Sequence, residues 1–151
     1  MKSLTTTICM VLLTLIAVTG YSQRRQAVKS SLFANLPASI NFTESQLNDL
    51  FIATKGQQIN LATLNNVVLA GSVTSNTVKY SNLQTIIITL PAFKNTLFSL
   101  SKQTEQNKKN IFVGRILNPL YNDGFELKRD AAGNYQLIKI NTEKIFVNCS
   151  Q

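Results

Sequence analysis

A run of β-branched residues at positions 85–90 limits the fold of this chain more than any other stretch. It reads Thr-Ile-Ile-Ile-Thr-Leu and is closed by Pro91. Branched side chains lose rotamer freedom in a helix and pack well on a pleated sheet, so the run predicts a strand. Because apolar residues occupy both parities, we expect a central strand, with Ile86 and Ile88 facing the core and Ile87 on the opposite face.

The first 22 residues have the anatomy of a cleaved export signal. Lys2 supplies a positive charge, residues 8–18 are apolar, and the small residues Gly20 and Ser22 mark a cleavage site. The apolar stretch is shorter than the roughly 20 residues that cross a bilayer, although a retained anchor is the alternative. We expect export to the periplasm or the cell exterior, with no transmembrane segment after cleavage.

The rest of the chain predicts a tether followed by one domain. Residues 23–41 are polar and basic at first and then carry apolar side chains around Pro37, which favours an extended segment docked on the domain. Residues 42–151 have the length of a single small domain.

A helix signal opens that domain. Thr43 and Gln46 have the spacing of a capping box, in which each side chain bonds the backbone amide of the other residue. Leu47 and Leu50 then lie on one apolar stripe at helical spacing. We expect an amphipathic helix over residues 44–55.

From residue 57 onward the apolar period changes to two, the repeat of a half-buried strand. Turn-forming residues predict turns at 75–76 and 131–134, and Val78 and Tyr80 are expected to open the strand that contains the isoleucine run. The predicted fold class is therefore α+β: one amphipathic helix packed on a curved antiparallel β-meander of five to seven strands.

Cross-strand chemistry selects a register for the C-terminal strands. Pairing Asp130 with Tyr135 places Glu126 opposite Lys139, whereas a slip by two residues would oppose two lysines. The same reasoning pairs Arg115 with Glu126. We expect Arg115, Glu126 and Lys139 side by side on the outer face as solvent-exposed ion pairs, each contributing less than about 1 kcal/mol. The alternative is that Arg115 binds an anion.

Signal cleavage would leave Cys149 as the single cysteine, so no intrachain disulfide is expected. We expect residues 145–149 to form a final strand beside residues 136–140 and to bury Cys149 on the core face. The alternatives are a reactive thiol and an intermolecular link.

The residue inventory argues against catalysis. The chain has no histidine, which removes Ser-His and Cys-His nucleophile pairs and histidine metal sites. One cysteine cannot build a thiolate zinc site, and no glycine-rich phosphate loop is present. We expect a non-enzymatic protein without metal or cofactor. A hydrolase of unrecognised type that uses two carboxylates is an alternative.

The charge balance points to acidic partners. Lys and Arg together number 15 against 7 Asp and Glu, which favours attraction to anionic surfaces. No basic stripe is interleaved with aromatic residues, so specific nucleic-acid binding is not expected. We expect contacts in an exposed loop over residues 102–110 and in the link 118–124, because loops on a rigid sheet commonly carry function. The candidate contact residues are Lys102, Lys108, Lys109, Arg115 and an exposed Tyr121. The expected partner is an envelope protein or an anionic glycan or lipid surface.

Residues 67–71, Val-Val-Leu-Ala-Gly, follow the helix and the first strand of the domain. This order resembles the cystatin family of cysteine-protease inhibitors, in which a Gln-x-Val-x-Gly hairpin loop enters the protease cleft. Here Asn66 or Val67 stands at the place of the glutamine, and the chain has no tryptophan for the second inhibitory loop. The resemblance implies an inhibitor or partner of a secreted hydrolase, as an alternative to an exported binding or structural protein of the cell envelope.

Overall fold

The segments in which apolar and polar residues alternate form one curled antiparallel sheet, and one short helix accompanies it. We describe residues 29–63 and 67–143 of a computed structural model. The elements are β1 (Ser39–Phe42), α1 (Glu44–Leu50), β2 (Gln58–Ala62), β3 (Val68–Tyr80), β4 (Leu83–Leu90), β5 (Thr96–Thr104), β6 (Asn110–Leu117), β7 (Asp123–Arg129) and β8 (Tyr135–Asn141).

The strand order is β1-β8-β7-β6-β5-β4-β3-β2, so β2 to β8 form a meander and β1 adds to its far edge. The described residues thus contain eight strands, and the expectation of five to seven was wrong. The additional strand comes from Ser39–Phe42, which were assigned in large part to the tether. Backbone pairing with β8 gives these residues a strand's hydrogen bonds. The connection that holds α1 runs from one edge of the sheet to the other.

The capping box of α1 is confirmed, but the helix is shorter than predicted. The amide of Gln46 donates to Thr43 Oγ1 at 3.1 Å, and the amide of Thr43 donates to Gln46 Oε1 at 2.8 Å. The helix ends at Leu50 rather than at residue 55. The last carbonyls of the helix accept hydrogen bonds from amides three residues further along the chain, as in a 3₁₀ turn. One example is the bond from Ala53 N to Leu50 O at 3.2 Å. Among the described residues this is the single α-helix, so the fold is mostly β.

The predicted facing of the isoleucine run is confirmed. Ile86, Ile88 and Leu90 are at most 1% exposed, and Ile87 is half-buried on the outer face, the face opposite the core. Leu47 and Leu50 of α1 join the same core. Large aromatic and aliphatic side chains from the other strands complete it, namely Phe42, Leu69, Phe98, Leu100, Phe112, Ile116, Phe125, Tyr135 and Leu137.

The turn predicted at residues 75–76 does not exist. β3 continues through a bulge between Val73 and Ser75 and ends at Tyr80. The Asn76 amide donates to Phe51 O at 2.9 Å and to Ala53 O at 2.8 Å, so this asparagine holds the chain that follows α1 against β3. Val78 therefore lies near the end of β3 and does not open the next strand.

The predicted register between β7 and β8 was wrong by one residue. Arg129 pairs with Tyr135, and Glu126 lies opposite Ile138 instead of Lys139. The cause is a three-residue turn in which Gly133 has a φ of +91°, where a four-residue turn was expected. The pairing of Arg115 with Glu126 is confirmed.

The one-residue shift moves Lys139 away from the predicted row of charges. Its side chain lies on the core side, where Nζ donates to Phe33 O at 2.8 Å and to Leu36 O at 2.7 Å. The ammonium is also 5.8 Å from the centroid of the Phe125 ring. Lys139 therefore anchors the N-terminal segment and takes no part in an outer-face ion pair.

The expected pairing of residues 145–149 with β8 concerns residues outside the described part of the chain. The edge of β8 that this pairing needs is taken by β1, with Ser39 opposite Ile138 and Asn41 opposite Gln136. The predicted strand and the burial of Cys149 fall on residues outside the described part of the chain.

Candidate functional site

Two connections of the meander meet at one end of the sheet. Antiparallel strands alternate in direction, so the β3–β4 turn and the β5–β6 loop emerge at the same end. They lie next to each other, since the amide of Thr104, the last residue of β5 before the loop, donates to Asn82 O in the turn at 2.9 Å. We call residues 78–82 and 105–109 together the basic end.

The basic end combines exposed apolar and cationic side chains. Val78 and Tyr80 are 66% and 68% exposed. Lys79, Lys108 and Lys109 of the same two segments are also exposed, and the ion pairs found among the described residues do not include these three lysines. Glu105 is the single acidic residue of the two segments. An exposed surface of this kind attracts anions and offers apolar contact area.

Backbone hydrogen bonds hold the β5–β6 loop in a defined shape. Glu105 N donates to Lys109 O, and Lys108 N donates to Glu105 O, both at 2.9 Å. The side chain of Asn107 accepts from Lys109 N, also at 2.9 Å. The loop therefore presents Lys108 and Lys109 on a constrained backbone.

Lys102 does not belong to this loop. The predicted loop over residues 102–110 begins too early, because β5 continues to Thr104. Lys102 is half-buried, and its Nζ is 4.9 Å from the centroid of the Phe51 ring. A cation over an aromatic face is a stabilising contact, so the side chain is engaged with the end of α1.

Arg115 lies on the outer face, away from the basic end. Its Nε and Nη2 atoms donate to Glu126 Oε1 at 3.1 and 2.6 Å, and Lys128 pairs with the other carboxylate oxygen. Hydrogen bonds from Lys128 and then from Arg115 lower the pKa of Glu126. The guanidinium that an anion would need is therefore engaged by a neighbouring carboxylate.

Tyr121 is half-buried, although it was expected to be exposed. Thr142 Oγ1 donates to its carbonyl at 2.9 Å, and its own amide donates to Asn118 O at 3.1 Å. These bonds hold the β6–β7 link against the chain after β8. The sequence could not show the contact with Thr142, because that residue is 21 residues away along the chain.

The β6–β7 link also binds the N-terminal segment, through the side chain of Asp123, which is 6% exposed. The amides of Leu32 and Phe33 donate to its carboxylate at 2.7 and 2.8 Å, and Ser31 Oγ donates as well. We call Asp123, its three donors and Lys139 the clasp. It lies at the end of the sheet opposite the basic end.

The residues that carried the cystatin resemblance lie in a strand. Leu69 pairs with Leu61 and Gly71 pairs with Ile59, so Val68–Gly71 are flanked by β2 and do not form a projecting wedge. Residues 64–66 are outside the described part of the chain.

The sequence interpretation missed Val78, Lys79, Tyr80 and Asn82. A signal was present, because the dipeptide Ser-Asn occurs at both 75–76 and 81–82. Either dipeptide favours a turn, and the change of apolar pattern predicts the turn at the first one. The tertiary role of Asn76 left the second to form the hairpin turn.

No protein family, curated protein or solved structure matches this chain. Within residues 29–63 and 67–143, no three or more His, Cys, Asp and Glu side chains are grouped so that they could hold a metal ion. In the same ranges, no helix has the length and apolar character needed to span a membrane.

Proposed function

We propose that this chain is an exported, non-enzymatic binding protein that attaches to an anionic component of the cell envelope through its basic end. The supporting observation is the contact between two loops that share exposed lysines and exposed apolar side chains, joined at Thr104 and Asn82. The lysines would supply attraction to negative charge, and Tyr80 would supply apolar contact with a polar tip.

The contrast with four other cationic side chains supports this assignment. Lys102 covers an aromatic ring, Arg115 and Lys128 pair with Glu126, and Lys139 bonds two carbonyls. Lysines at the basic end have no such intramolecular role among the described residues. Their charge is available to a partner, and a positive charge near an anionic surface contributes about 1 kcal/mol to binding.

The first experiment measures binding of the protein to inorganic polyphosphate, a soluble polyanion. The full chain is expressed with its own N-terminus and purified in the form that cells accumulate, whose first residue is determined by mass spectrometry. The double variant Lys108→Glu/Lys109→Glu is expected to bind at least about tenfold more weakly at low salt. A start at residue 23 is expected for the accumulated form.

The matched control is Lys55→Glu/Lys94→Glu, which changes the net charge equally at exposed positions outside the two loops. It is expected to keep most of the affinity. Equal losses in the two double variants would mean that net charge alone drives binding, and the proposed site would then be wrong.

A further inference from the structure

The two loops of the basic end border an open polar groove. Its volume is about 960 Å³, near the upper end of the roughly 300–1,000 Å³ of common ligand sites. The lining residues are Ser81, Asn82, Gln103, Thr104, Glu105, Gln106 and Asn107. All seven are polar, which distinguishes the groove from a site for an apolar ligand.

Five of the seven lining residues fall into two sets, and the other two supply the Ser81 hydroxyl and the Glu105 carboxylate, both of which can accept hydrogen bonds from sugar hydroxyls. Thr104 Oγ1 donates to Asn110 Oδ1 at 2.9 Å, and Asn107 Oδ1 accepts from a loop amide, so these two shape the loop. The side-chain amides of Asn82, Gln103 and Gln106 are exposed and make no hydrogen bond to another described residue. Each amide offers both donors and an acceptor, which suits a hydroxyl group that donates and accepts.

An aromatic side chain lies on the same face as one of these amides. Tyr80 pairs with Leu83, and Leu83 pairs with Gln103. Residues directly opposite each other in antiparallel strands share a face, so Tyr80 and Gln103 both belong to the outer face. The exposed ring offers an apolar surface that can pack against the C–H face of a sugar ring.

Resting on the proposed function, we infer that the anionic component is an acidic polysaccharide that lies in this groove. The free amides contact its hydroxyl groups, and Tyr80 packs on a sugar ring. Lys79, Lys108 and Lys109, which lie within two residues of the lining residues Ser81 and Asn107 along the chain, attract its carboxylates. A lipid acyl chain would meet seven polar lining residues instead of an apolar wall, so the groove favours a glycan over a bilayer.

The experiment compares two soluble polyanions that differ in hydroxyl content. Oligogalacturonate carries carboxylates and sugar hydroxyls, whereas inorganic polyphosphate of matched charge carries no sugar ring. The variant Gln103→Ala removes a groove amide that lies outside the basic end, and it is expected to weaken oligogalacturonate binding about fivefold while polyphosphate binding stays within about twofold. Tyr80→Ser is expected to weaken oligogalacturonate binding as well. Isothermal titration calorimetry at one fixed salt concentration gives each affinity.

The charge variant separates the two proposals. Lys108→Glu/Lys109→Glu is expected to weaken binding of both polyanions. If it does so while the amide variant changes neither affinity, or changes both equally, the groove is not a glycan site and the proposed anion binding stands. If the charge variant leaves polyphosphate binding intact, the proposed function itself is wrong.

Phosphatidylglycerol vesicles that compete better than oligogalacturonate would also overturn the glycan inference. Unchanged urea midpoints verify that the exposed substitutions leave the fold intact.

Discussion

The two ends of the sheet use polar and charged side chains in opposite ways. At the clasp, the carboxylate of Asp123 and the ammonium of Lys139 bond backbone groups of the N-terminal segment. At the basic end, Lys108 and Lys109 are exposed, and the ion pairs among the described residues do not involve them. Charges at the clasp contribute to folding, whereas those at the basic end are free to contribute to binding.

This difference follows from burial. A buried donor or acceptor that loses its partner costs about 1–3 kcal/mol, whereas an exposed group bonds water instead. Substitutions at the clasp should therefore change the free energy of unfolding and leave binding intact. Substitutions at the basic end should do the reverse.

The largest effect is expected from Phe33→Ala. This side chain is 1% exposed and packs against the rings of Phe93 and Phe125, with centroids 5.2 and 5.4 Å away. Its removal leaves a cavity and should lower the free energy of unfolding by about 3–5 kcal/mol. Urea unfolding measures the loss. Leu120→Ala, at a position 76% exposed, is the control and should stay within about 0.5 kcal/mol. Equal stability of the two variants would show that the N-terminal segment is not part of the folded unit.

The variant Asp123→Ala tests the acceptor of the clasp. It leaves the amides of Leu32 and Phe33 without their bond to the carboxylate, so we expect a loss of about 2–3 kcal/mol. Asp130→Ala, which removes an exposed turn acceptor of Asn134, should cost clearly less. Polyphosphate affinity should be unchanged in both. A change in affinity for Asp123→Ala alone would show that the two ends are coupled.

Lys139→Met tests the donor of the clasp while it retains most of the apolar stem. Two carbonyls lose their charged donor, and we expect a loss of about 1–2 kcal/mol in urea unfolding. Lys94→Met serves as the control, because Lys94 is exposed in the β4–β5 turn. If both variants were equally stable, the bonds of Lys139 would have no net energetic value.

The smallest effect is expected on the outer face. Glu126→Gln should cost about 0.5 kcal/mol at pH 7, the usual range for a partly exposed ion pair. The folded-state pKa of Glu126 lies below its ordinary value of 4.5, so its stabilisation is present above that pH. It is lost as the pH falls through the lower folded pKa. The difference between Glu126→Gln and the native chain should therefore vanish in acid, and a difference that grew in acid would contradict this sign.

Local chemistry was sufficient for several features of the fold. The Thr43–Gln46 capping box involves residues three positions apart, and the facing of Ile86 and Ile88 follows from the pleat of one strand. The pairing of Arg115 with Glu126 followed from opposite charges on neighbouring strands. In each case the deciding contacts lie within one element or one pair of adjacent strands.

Two of the errors arise from contacts between distant parts of the chain. The extent of β3 depends on Asn76, whose side-chain amide bonds carbonyls 23 and 25 residues away. The additional strand β1 depends on pairing between Ser39 and Ile138 of β8. The register of β7 and β8 depends on the length of the turn between them. The sequence allows a three-residue or a four-residue turn, and the positive φ of Gly133 belongs to the shorter one.

The sequence by itself determined the β-rich meander, the helix start and the inward face of the isoleucine strand, because backbone preference and side-chain period are local properties. Only the tertiary structure decided which Ser-Asn dipeptide turns the chain and which edge of β8 is covered. It likewise decided which lysines have intramolecular partners. These outcomes depend on competition between distant segments for the same backbone groups, and that competition brought Tyr80, Asn82 and Lys108 to one end of the sheet.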